Sequence, residues 1–121
     1  MLLDCVKRDL NKPLTLYIAG PMRGYANHNF PAFHLAAKKW AKKIPGCTIF
    51  NPAEMDEQAG FDGNSISLDS KEHLKSCMKR DLDAIMKSDA LVMLHGWENS
   101  EGARVEHALA VYLGLCMFYE S

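Results

Sequence analysis

The sequence predicts an α/β fold, a parallel sheet with helices on both faces. Three observations point there. Four short apolar runs, Leu14–Ala19, Cys47–Phe50, Ala90–Leu94 and Leu115–Tyr119, have the length and composition of buried strands. Segments with apolar residues at helical spacing separate most of them. Strand–helix alternation of this kind favours parallel pairing through right-handed crossovers.

Each element has its own local reason. Leu14–Ala19 ends at Gly20-Pro21, so a turn follows the first strand. Asn27 to Asn29 offer N-caps for a helix over about Phe30–Ile44, in which Phe30, Phe33, Ala37, Trp40 and Ile44 recur on one face. Lys38, Lys39, Lys42 and Lys43 fill the other face, as on a solvated helix surface. Pro45-Gly46 stops that helix, and the short strand Cys47–Phe50 is closed by Asn51-Pro52. Residues 53–70 are polar and contain Gly60, Gly63 and Asn64, so they read as a long loop, either a lid over a pocket or a mobile connection. A helix over about Lys71–Lys87 carries an apolar stripe of Leu74, Met78, Leu82, Ile85 and Met86. The helix from Ala103 to Leu113 has Gly114 as its C-cap.

Composition narrows the function classes. A chain of 121 residues, 48% apolar, is expected to make a single domain with a real core; residues 1–12 form a leading segment. A net charge of −1 gives no basic field for a nucleic-acid polymer. No stretch approaches membrane-spanning length, and the first residues have no apolar core for a signal peptide. Cys5, Cys47, Cys77 and Cys116 show no ligand spacing, so reduced thiols and a soluble, cytoplasmic protein are expected. His28, His34, His73, His95 and His107 show no metal spacing and are read as structural or surface residues, with His95 the outsider because it ends a strand. No metal or organic cofactor is expected.

In open parallel sheets ligands bind outside the carboxyl ends of the strands. Gly20 to Gly24, Asn51 to Glu54 and His95 to Gly102 would converge there. The segment Ser100-Glu-Gly-Ala-Arg-Val-Glu106 follows a strand and opens a helix, so it presents free N–H groups and the positive end of a helix dipole to an anion. Glu106, in the second turn, would face whatever carries that anion, unless it is a solvated helix residue. Asp81 lies on the border of the apolar stripe and either points inward or pairs at the surface, whereas Asp83 falls with Lys79, Arg80 and Lys87 on the polar side. Arg23 follows Gly20-Pro-Met22 in a tight turn, placed for a phosphate or simply solvated. Tyr17 could reach a carboxylate in the crevice or pack as an ordinary strand residue. Paired carboxylates suit glycosidic cleavage, one at the anomeric carbon and one protonating the leaving group.

Three segments together resemble the nucleoside 2-deoxyribosyltransferase superfamily. They are Tyr17-Ile-Ala-Gly-Pro-Met-Arg-Gly24, then Asp81-Leu82 with Ser88-Asp89-Ala90, and Ser100-x-Gly102-x-x-x-Glu106. The resemblance spans about Leu14 to Gly114 and looks closest to the 2′-deoxynucleoside 5′-phosphate N-hydrolase branch and to uncharacterised phage-borne relatives. It implies Glu106 as nucleophile on C1′, Asp81 as proton donor to the departing base, and Tyr17 as the residue holding Glu106. Transferases of that superfamily carry an aspartate where this chain has Ser100. A serine beside Arg23, Gly24, Gly102 and helix N–H groups suits a 5′-monophosphate instead. Gly20 and Met22 are expected against the base or sugar. The chain departs from the hydrolase branch at Glu101, which adds a negative charge beside the phosphate cup, and at Arg104, where a small residue is usual.

The combined expectation is a flavodoxin-like three-layer sandwich with a parallel sheet of four to five strands. It is a homodimer or larger homo-oligomer that binds a small-molecule nucleotide or nucleoside and neither a nucleic-acid polymer nor a membrane. The expected reaction is hydrolysis of the N-glycosidic bond of a (2′-deoxy)nucleoside 5′-monophosphate. Base exchange between nucleosides, nucleotide sensing with little turnover, and an interaction protein with a degenerate site are the alternatives.

Overall fold

The computed structural model describes residues 12–64 and 70–120. Most of the leading segment, including Cys5, and residues 65–69 of the expected loop lie outside them. Four parallel strands form one sheet in the order β2-β1-β3-β4, with β1 Thr15–Ala19, β2 Thr48–Phe50, β3 Ala90–Met93 and β4 Cys116–Tyr119. The four helices are α1 Phe30–Lys43, α2 Pro52–Gln58, α3 Lys71–Met86 and α4 Glu101–Leu113. The architecture is α/β, consistent with a flavodoxin-like three-layer sandwich.

Period-two alternation divides the core between the two faces of the sheet. Leu16 and Ile18 of β1 with Leu14 just before it, and Ala90 and Val92 of β3 with Leu94 just after it, join Phe30, Phe33, Ala36 and Trp40 of α1. Tyr17, Ala19, Leu91 and Met93 point the other way, onto Ala84 and Ile85 of α3 and Ala110 of α4. The sheet runs outward from β1 to β2, then returns to β3 and continues to β4. The crevice between the carboxyl ends of β1 and β3 is therefore the switch point, where a ligand is expected.

Several local expectations are corrected. Residues 53–58 are helical, not loop: Asn51 caps α2, its Oδ1 accepting from Ala53 N at 3.0 Å, and Pro52 sits at the first helical position, where its missing N–H costs nothing. The next residues are docked, because His28 Nδ1 lies 2.7 Å from Gly63 O and a Cβ at Gly63 would fall 2.2 Å from Asn27 O. Asn27, His28 and Asn29 are left-handed, and Asn29 caps α1 without a side-chain bond; its amide donates instead to Pro21 O at 2.9 Å. The stripe on α3 is narrower than its periodicity suggests: Asp81, Ala84 and Ile85 are buried, while Leu74 and Met86 are exposed. Only the second half of α3 covers the sheet, and the first half overhangs the strand ends. Cys47 and Cys77 are free thiols, but Cys116 is disulfide-bonded. Reduced thiols throughout therefore do not hold; a disulfide needs spatial proximity of two Cα atoms, which sequence spacing does not report.

Candidate active site

A cavity of about 500 Å³ opens at the switch point, within the usual range for small-molecule sites. It opens just beyond the end of β1, at Gly20. Its walls are the turn after β1, the start of α2, the overhanging half of α3 and the first turns of α4.

Tyr17 is fully buried on the face that meets α3 and α4, and its hydroxyl donates a short hydrogen bond to Glu106 Oε2. Glu106 is only 6% exposed, and Ala103 and Ala110, a turn before and after it, let α4 approach the sheet closely. Burial, then the negative charge of Asp81, push Glu106 up to about 8; the Tyr17 bond and the Arg80 charge pull the other way. Asp81, 8% exposed, is also raised by burial, and Arg80 opposes this through a bond from Nε to Oδ1 at 2.8 Å. The Tyr17 hydroxyl favours ionised Asp81 too, so both carboxylates lie beside the one phenol.

Ser100 is the N-cap of α4, which starts at Glu101, two residues earlier than its periodicity suggests. Its hydroxyl accepts from Ala103 N at 3.2 Å, as a helix cap does. The amides of Glu101 and Gly102 lie at the helix N-terminus, where no preceding turn supplies acceptors. A Cβ at Gly102 would make only an ordinary van der Waals contact, with Met78 Cε 3.8 Å away. Gly20 also lines the cavity, and here glycine is sterically required: a Cβ would come within 2.8 Å of Leu94 Cβ. Met22 lines the cavity and packs against the α1-side core, while Arg23 stands exposed at the cavity wall.

Other expected residues are placed elsewhere. Gly24 belongs to the exposed turn, with a φ of 87°, and does not line the cavity. Of the segment Asn51–Glu54 only Pro52 reaches the wall. Arg104 is exposed and off the wall, so it neither replaces nor blocks a phosphate contact, whereas Glu101 is exposed at the rim. His95 faces a second hollow with Trp97, His107 and Tyr119, where His107 stacks on Trp97 at 4.2 Å. Asp83 pairs with Lys87 at 3.0 Å on the outer surface, as expected.

The wall formed by α2 and α3 holds residues that the sequence reading passed over. Arg80, expected on the polar side, turns into the cavity and bridges Asp81 to buried Asp56, whose Oδ1 accepts from Nη1 at 2.8 Å. Asp56, His73 and Cys77 cluster next to this bridge and form, among the described residues, the one group that could hold a metal ion. The sequence did carry usable signals. Asn51-Pro52 with Glu54 is a helix start, and His73 and Cys77 stand four apart on one helix face.

A family model described as a domain of unknown function, DUF4406, matches residues 14–119. The chain belongs to this family. Its members are deoxyribosyltransferase-like proteins, which agrees with the coarser part of the resemblance. No curated protein matches the chain. Among the described residues no helix is long and apolar enough to cross a membrane.

Proposed function

We propose that this DUF4406 protein hydrolyses the N-glycosidic bond of a (2′-deoxy)nucleoside 5′-monophosphate, placing it in the nucleotide N-hydrolase branch. The observation that carries the reading is the buried Tyr17–Glu106 bond beside Asp81, in a cavity whose rim holds Arg23 and the N-terminus of α4. A phosphate at that rim would meet the Glu101 and Gly102 amides and the Arg23 guanidinium. The sugar would then lie over Glu106 and the base along Gly20 and Met22.

In the reaction, a Glu106 oxygen bonds to C1′ as the N-glycosidic bond breaks. The base leaves with the bonding pair and takes a proton from Asp81. Water then attacks C1′, gives its proton back to Asp81 and frees Glu106, yielding base and sugar phosphate. In this reaction Asp81 carries the proton and Glu106 is ionised. Positive charge developing on the sugar supplies the reason, because it stabilises an anionic Glu106 nearby. Ser100 holds the helix start in shape by accepting from Ala103 N, which leaves its O–H to donate to the phosphate. Exposed Val105, Val111, Tyr112 and Leu113 on α4 favour a second copy packed on this helix.

The test is to incubate the protein with a panel of nucleoside monophosphates and follow free base by chromatography. Glu106→Ala should abolish base release and keep monophosphate binding within about tenfold. Arg23→Ala should weaken monophosphates by roughly 1.5–3 kcal/mol and nucleosides far less. Transfer to a second added base would instead favour base exchange. Tight binding without release, unchanged by Glu106→Gln, would favour sensing.

A further inference from the structure

Asp56 comes from α2, and His73 and Cys77 from successive turns of α3. Their three donor atoms close a triangle: Cys77 Sγ to His73 Nε2 is 3.1 Å, Cys77 Sγ to Asp56 Oδ1 is 3.4 Å, and His73 Nε2 to Asp56 Oδ1 is 3.7 Å. A tetrahedral zinc ion with ordinary sulfur, nitrogen and oxygen bonds sets ligand–ligand edges of about 3.3–3.6 Å. Every side of the triangle is within about half an ångström of that. The side chains of His73 and Asp56 are 10% and 4% exposed, so the donors are largely withdrawn from water.

A Cys–His–Asp relay would place the same residue types together, but with a different geometry. There the thiol and the carboxylate bond opposite nitrogens of the ring. Here both approach the same nitrogen, Nε2, as ligands of a shared ion do. We propose that Asp56, His73 and Cys77 form a binding site for a zinc-type divalent cation.

The surroundings fit such an ion. Arg80 donates to Asp56 Oδ1, as groups behind a ligating carboxylate commonly do, and its own charge is offset by Asp81. The Phe61 ring packs edge-on against His73, with centroids 4.4 Å apart, and restrains the imidazole. Binding a cation exchanges the Cys77 S–H proton for the ion and releases that proton to solvent. All three residues line the cavity, so a water or a donor atom of a bound ligand can take the fourth position. Arg80 links the site to Asp81 in the same cavity, so its test reads binding, not turnover.

Chelator-stripped full-length protein is titrated with zinc chloride by calorimetry and with cobalt chloride by absorption. The expected result is one ion per chain, with tetrahedral cobalt bands and a thiolate-to-cobalt charge-transfer band. Cys77→Ser should remove that band. His73→Ala and Cys77→Ser should each weaken zinc at least ~100-fold, above the 10–100-fold typical of losing a residue behind the ligands. Cys47→Ser, at a free thiol outside the cavity, should change neither. Circular dichroism checks that each variant is folded, and the parent spectrum stands without them. Absence of the charge-transfer band in the parent, or equal zinc affinity in parent and Cys77→Ser, overturns the proposal.

Discussion

The two walls of the cavity are built in different ways. On one side Tyr17 and Glu106 come from β1 and α4, which meet through the sheet face, so strand alternation and helix phase aim both side chains inward. On the other side Asp56, His73, Cys77 and Arg80 come from α2 and the overhanging half of α3. There no strand sets the direction, and the polar contacts themselves join the two helices. The first wall holds its polar groups by burial in a packed core. The second holds them by charge pairing at a core's edge. Arg80 connects the two, through Asp81 to the first and Asp56 to the second.

Breaking the connector should have the largest effect. Arg80→Met keeps most of the side-chain volume and strands two buried carboxylates. A loss of roughly 3 kcal/mol is expected at neutral pH, measured by urea denaturation. The loss should shrink as acid neutralises Asp81, whose carboxyl is raised by burial. A stability within about 0.5 kcal/mol of the parent would mean that Arg80 merely rests on the wall.

A smaller effect is expected on the first wall. Tyr17→Phe preserves the packing and removes one hydrogen-bond donor from a buried acid, so a loss of roughly 1–2 kcal/mol is expected. Base release should also fall, since Glu106 would lose the group that orients it. An unchanged Tyr17→Phe would show that core packing alone positions Glu106, which would sharpen the contrast between the walls.

The same contrast explains what the sequence could reveal. The sheet was legible because Leu14–Ala19 and Ala90–Leu94 alternate between two buried faces with clear turns at their ends. Glu106 and Asp81 were legible because helical phase ties each to small or apolar neighbours. Arg80 was not, because a long side chain on the polar flank can fold back over its own helix, and phase gives only where it starts. Asp56 was missed because its helix is short and its Asn-Pro start also ends a strand. The bonds from Arg80 and Cys77 to Asp56 depend on how α2 lies against α3, a tertiary fact with no local signature. Leu74 and Met86 misled in the opposite sense: Leu74 continues a helical stripe past the part of α3 that reaches the sheet, and Met86 falls on the exposed flank of its last turn.

The central claim is that Glu106 is an inward, phenol-bonded acid sharing its pocket with the charge of Asp81. Carbon-13 NMR titration of the Glu106 carboxyl tests it without any substrate. The account predicts a midpoint near 8, moving down in Asp81→Asn because the neighbouring negative charge is gone. A midpoint at the ordinary 4.5, indifferent to Asp81→Asn, would contradict it.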